Sequence, residues 1–102
     1  MDRLEILVVE DDPVYAEFVA STLREAGHGT TIAGDGTAAR EQVRNLRPHA
    51  VILDLSLPDE SGYEVARKLR RDGLDDDAVI ILLTAHPSPE LDRAEGVGID
   101  IV

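Results

Sequence analysis

Four polar residues stand where apolar runs stop. Glu10 and Asp11 follow ILVV, residues 6–9; Asp54 closes AVIL, residues 50–53; Thr84 follows AVIILL, residues 78–83. Three carboxylates brought to one place repel, by about 4 kcal/mol per pair at roughly 4 Å and an effective dielectric near 20. A proton or a cation must then intervene. A set of hard oxygen ligands with no histidine or cysteine suits Mg²⁺, which takes one or two carboxylates and fills its remaining positions with water and phosphate oxygens. A phosphoryl group fits beside such an ion. Asp54 is the candidate nucleophile, forming an aspartyl phosphate, and the Thr84 hydroxyl is a candidate donor to a phosphoryl oxygen.

The chemistry requires residues far apart in sequence to converge, and the surrounding elements can do that. Ile6 to Val9, Ala50 to Leu53 and Ala78 to Leu83 are continuous in valine, isoleucine and leucine, the pattern of strands buried on both faces. Helical spacing separates them, so strand and helix alternate and a parallel sheet covered by helices is expected. Asp12 and Pro13 read as N-cap and first residue of a helix with Val14, Phe18, Val19 and Leu23 inward, ended by Gly27. A weaker strand is expected near Thr30 to Ala33. After a turn at Asp35 and Gly36, a second helix would bury Ala39, Val43 and Leu46. Ser61 and Gly62 precede a third helix with Val65, Ala66 and Leu69 inward and Gly73 near its close. Asp75 to Asp77 read as a solvated loop, and Ser88, Pro89 and Glu90 as the start of a fourth helix.

Right-handed crossovers point all strands of such a sheet one way, so their carboxyl ends share an edge. Ligands bind there, at the point where strand order reverses; in the flavodoxin-like order 2-1-3-4-5 that point lies between strands one and three. Asp11 and Asp54 would flank it.

The 102 residues suit one domain, and 43% hydrophobic with 30% charged residues is an ordinary globular balance. A formal charge of −11 argues against direct nucleic-acid binding. With no cysteine and no run approaching a membrane span, a soluble protein of the reducing cytoplasm is expected. His28, His49 and His86 show no ligand spacing and read as structural or surface residues. Arg67, Lys68, Arg70 and Arg71 form a small basic patch that reads as solubilising.

VVEDDP, LDLSLPDESG and LLTAH, in that order, resemble the receiver domain of two-component response regulators. The resemblance runs from Leu4 to about Val102. It implies that Glu10, through a water, Asp11, Asp54 and the backbone carbonyl of Ser56 hold Mg²⁺, that Asp54 accepts the phosphoryl group, and that Thr84 acts as the switch hydroxyl. Ala85 would be the small neighbour that leaves room for the phosphoryl group, while Pro58 and Gly62 match the loop after the acceptor. Implied partners are a sensor histidine kinase or phosphotransfer protein and an output domain outside this chain. The family's fifth strand ends in lysine and proline and leads into a fifth helix. Here Lys68 is the sole lysine, Gly98 to Val102 can only begin a fifth strand, and no fifth helix follows. The chain therefore reads as a single receiver domain, 1–102, shortened at its C-terminus. Apolar surface beside the first helix would then be uncovered, favouring a homodimer or strand-exchanged assembly.

Two other readings compete. One is a pseudo-receiver, an interaction module that keeps the acids without productive phosphorylation. The other is a haloacid-dehalogenase-type phosphatase, which also uses a strand-terminal aspartate with Mg²⁺ but places a general acid two residues on, where this chain has Ser56.

Overall fold

The computed structural model describes residues 3–54, 57 and 60–83. Within them the elements run β1 (Glu5–Val9), α1 (Pro13–Glu25), β2 (Gly29–Ala33), α2 (Gly36–Leu46), β3 (Ala50–Asp54), α3 (Gly62–Arg71) and β4 (Val79–Leu83). All strand pairs are parallel, in the order β2-β1-β3-β4. That is the expected flavodoxin-like arrangement as far as β4. The expected fourth helix and fifth strand lie outside the described residues. No helix among the described residues is long and apolar enough to cross a membrane.

The two faces of the sheet are covered differently. Leu7, Val9, Val51, Leu53, Ile80 and Leu82 share one face, since side chains alternate along a strand. They join Ala39 and Val43 of α2 and Val65, Ala66 and Leu69 of α3 in one buried cluster. Each fully buried aliphatic there contributes about 1.5–3 kcal/mol. On the opposite face, Ile6 and Val8 are buried beneath α1, yet Ile52 and Ile81 are only half-buried.

Helix α1 departs from the sequence expectation. Asp12 caps it as expected, its Oδ1 accepting the N–H of Val14 at 2.9 Å, with Pro13 in the first turn. But the fully buried residues are Ala16 and Ala20, with Val19 and Leu23 half-buried, while Val14 and Phe18 are 78% and 66% exposed. Positions 16, 19, 20 and 23 form an i, i+3, i+4, i+7 stripe, and its two alanines let the helix axis come close to β1 and β2. Two apolar stripes were available, and the smaller side chains face the sheet. Leu46, expected inward on α2, is 39% exposed at the last turn of that helix.

Gly27 follows the cap of α1 at φ 97, a left-handed conformation that glycine adopts without a Cβ penalty. The corresponding position after α2 is Arg47, at φ 50. Gly36 sits in a close approach instead. A Cβ there would lie 2.6 Å from Glu60 Oε1 and 3.0 Å from Val65 Cγ2, so it lets α2 start against the loop before α3. Glu60 also accepts from Lys68 of α3 at 2.5 Å, and Arg40 of α2 pairs with Asp72 at 2.8 Å, which ties α2 to the C-terminal end of α3. The basic patch is thus largely neutralised in place, Arg67 pairing with Glu64 and Arg71 with Asp72.

Candidate functional site

β1 and β3 pair directly, Val9 against Leu53, so the residues that follow them emerge side by side. Glu10 continues the ladder on its other side by donating its N–H to Ala33 O at 3.0 Å. Carboxylate oxygens of Glu10, Asp11 and Asp54 all lie within 4.8 Å of one another. Asp11 is exposed, whereas Glu10 and Asp54 are half-buried. Asp12 takes no part in this group: its carboxylate caps α1, and its N–H donates to Glu10 Oε1 at 3.2 Å.

The electrostatics of the trio are those of an overfilled site. Burial first, then a hydrogen bond with Asp54, push the Glu10 carboxyl from its ordinary 4.5 up to about 7, and the charges of Asp54 and Asp11 add to the shift. The Asp12 N–H works the other way without reversing it. Near neutral pH the trio therefore retains a share of one proton, because three adjacent anions are too costly. A divalent cation would relieve the same repulsion. The donors present are all hard oxygens, which is the set Mg²⁺ prefers.

Three of the expected site residues are brought together: Glu10, Asp11 and Asp54. Leu83, the residue before Thr84, pairs in register with Asp54 on the neighbouring strand. Thr84, Ala85 and Ser56 themselves lie outside the described residues, as does Pro58. Lys68 sits on α3, bound to Glu60.

Sequence reasoning missed several supporting residues. Asp35, expected only as part of a turn, caps α2 by accepting the Ala38 N–H at 2.8 Å. Tyr63 is fully buried in the first turn of α3; its spacing of three from Ala66 and six from Leu69 carried the signal. His28 and His49 are structural, as expected: each accepts a backbone N–H at the start of β1.

The pattern of the response regulator receiver domain matches residues 6–101. The chain belongs to that family. Among curated relatives of this receiver domain, the probable transcriptional regulatory protein TcrX of Mycobacterium tuberculosis is 46% identical over 94 residues, which is 90% of this chain and 38% of the relative. The DNA-binding response regulator MtrA of Mycolicibacterium smegmatis is 47% identical over 83 residues, 81% of this chain and 35% of the relative. The receiver domain thus spans a little over a third of the length of these relatives. Among solved structures, the chemotaxis protein CheY4 of Vibrio cholerae superposes with a TM-score of 0.91 at 27% identity, covering 98% of this chain and 84% of that one. The receiver domain of the sensor histidine kinase PA1611 of Pseudomonas aeruginosa, described with a magnesium ion coordinated in its active site cleft, gives a TM-score of 0.85 at 30% identity, covering 98% and 83%.

Proposed function

We propose that this receiver domain is an operating phosphoacceptor that takes a phosphoryl group from the phosphohistidine of a sensor kinase or phosphotransfer protein onto Asp54. The observation that carries the reading is the convergence of the Glu10, Asp11 and Asp54 carboxylates at the carboxyl ends of β1 and β3. An Asp54 oxygen attacks phosphorus, the P–N bond breaks, and the imidazole departs with the bonding pair. Asp11 and Asp54 directly, Glu10 through a water and Ser56 through its carbonyl would hold Mg²⁺. When bound, the ion offsets the charge that develops on the phosphoryl oxygens. Thr84 would donate its hydroxyl to one of those oxygens, and Ala85 would leave space for them.

The unit is one signalling domain of the cytoplasm, not a metabolic enzyme. Its output would be a changed partner surface, read by an output domain like those implied by the DNA-binding relatives. The net charge of −11 supports leaving any DNA contact to that other domain. Exposed Val14 and Phe18 on α1, a few residues from Asp11, supply apolar surface for a protein partner or a second copy.

The pseudo-receiver is the second reading. Intact-mass measurement with Mg²⁺ and a small phosphodonor separates the two. A gain of about 80 Da that disappears in Asp54→Asn supports the acceptor. No gain supports the pseudo-receiver, and a gain persisting in the variant refutes Asp54.

A further inference from the structure

The amino end of β1, opposite the end that carries Glu10 and Asp11, is held by two imidazole rings. Leu4 donates its N–H to His28 Nδ1 at 3.1 Å, and Glu5 donates its N–H to His49 Nδ1 at 2.9 Å. Successive amides of an extended chain point to opposite sides, so one ring serves the β2 side and the other the β3 side. Backbone bonds complete both contacts: Gly29 donates to Leu4 O at 2.8 Å, and His49 donates to Glu5 O at 2.8 Å. His49 O also accepts from Val79 N–H at 3.0 Å, so this one residue joins the starts of β1 and β4.

A neutral imidazole has one donor nitrogen and one acceptor; an imidazolium has two donors. Both rings accept at Nδ1, which fixes the Nε2–H tautomer and leaves no acceptor once a second proton arrives. We propose that His28 and His49 form a proton-sensitive latch, in which neutral rings hold the Leu4 and Glu5 amides and protonated rings release them. Histidine is the side chain whose ordinary titration falls in mildly acidic solution.

The charged groups around the rings are known. Arg3 and Glu5, paired at 3.3 Å, lie at the start of β1, and Arg24 and Glu25 at the end of α1 precede His28. Asp75 and Asp77 line a small cleft with Pro48, His49 and Ala78, and Arg47 lies two residues before His49. The carboxylates among these are the partners to which a charged ring can turn. The latch acts on β1, an inner strand of the sheet, whose other end leads into the acidic site.

Solvent-exchange NMR of the whole chain tests this at the Leu4 and Glu5 amides, with Leu7 and Val8 as internal references. Between about pH 7.5 and 5.5, protection of the two latch amides should fall roughly fivefold relative to the references, the effect of one hydrogen bond each. In His28→Asn/His49→Asn, where an amide oxygen takes the place of Nδ1 and does not titrate, the ratio should stay constant. Nitrogen shifts should report the Nε2–H tautomer at the higher pH. A constant ratio in the original chain, an Nδ1–H tautomer, or an equal fall in the asparagine variant would each overturn the latch. Should the double variant not fold, the tautomer and the pH series on the original chain decide alone.

Discussion

Glu10 and Asp54 bring carboxylate oxygens within 4.8 Å of each other at the carboxyl ends of adjacent parallel strands. Burial and the neighbouring carboxylates raise Glu10 to about 7, so it keeps its proton into the neutral range and the metal-free site resists full ionisation. The folded-state value of Glu10 is raised. In the absence of metal, its contribution to stability is therefore complete below about pH 4.5 and is lost as pH rises through about 7.

If Mg²⁺ binds the trio, as proposed, it must displace that proton. Its apparent affinity should weaken by up to tenfold per unit as pH falls below about 7. Titrations at pH 6 and 8 followed by NMR shifts check this; equal affinity at both would contradict a proton kept on Glu10.

Asp11→Asn should weaken Mg²⁺ binding by at least about tenfold while leaving the fold intact, because Asp11 is exposed and removing its charge relieves repulsion. Calorimetric metal titration and thermal melting are the paired measurements. A loss of folding without a change in metal affinity would assign Asp11 a structural role instead.

The two stripes of α1 make opposite predictions. Phe18→Ser removes a side chain that is 66% exposed and should change stability by no more than about 0.5 kcal/mol. Ala20→Leu adds three carbons where the helix is fully buried and should cost about 1–3 kcal/mol. Urea midpoints distinguish them. If the exposed stripe mediates self-association, Phe18→Asp should also abolish concentration-dependent sedimentation.

Arg47→Gly should stabilise the protein by roughly 0.5 kcal/mol. A side chain in the left-handed region costs about 1–2 kcal/mol, and the looser unfolded chain of glycine returns about 0.4–1 of that. A midpoint in urea that fails to rise would show that Arg47 makes an offsetting contact.

In Thr84→Ala, phosphorylation of Asp54 should persist in part, whereas the NMR shift changes that accompany it should shrink. An unchanged response would remove Thr84 from the switch.

Much of this architecture could be read before any coordinates. Continuous aliphatic runs allow only buried strands, and N-caps such as Asp12 and Ser61 announce themselves by type and position. A parallel sheet then leaves Glu10, Asp11 and Asp54 no choice but one edge. Facing and pairing were harder. Val14 and Phe18 match the helical period as well as Ala16 and Ala20 do, and only contact with β1 and β2 selects the smaller pair. Arg40 with Asp72, and Gly36 with Glu60, are separated by more than 20 residues, and nothing local links them.

The chain of residues by itself determined which groups could do chemistry and that the ends of its apolar strands would gather them, since strand direction follows from alternation and handedness. Tertiary structure alone decided how closely Glu10 meets Asp54, which face of α1 stays in water, and which ring nitrogen of His28 and His49 is committed to an amide. Those depend on distances of a few ångströms between segments remote in sequence, where packing and desolvation, not local preference, set the outcome.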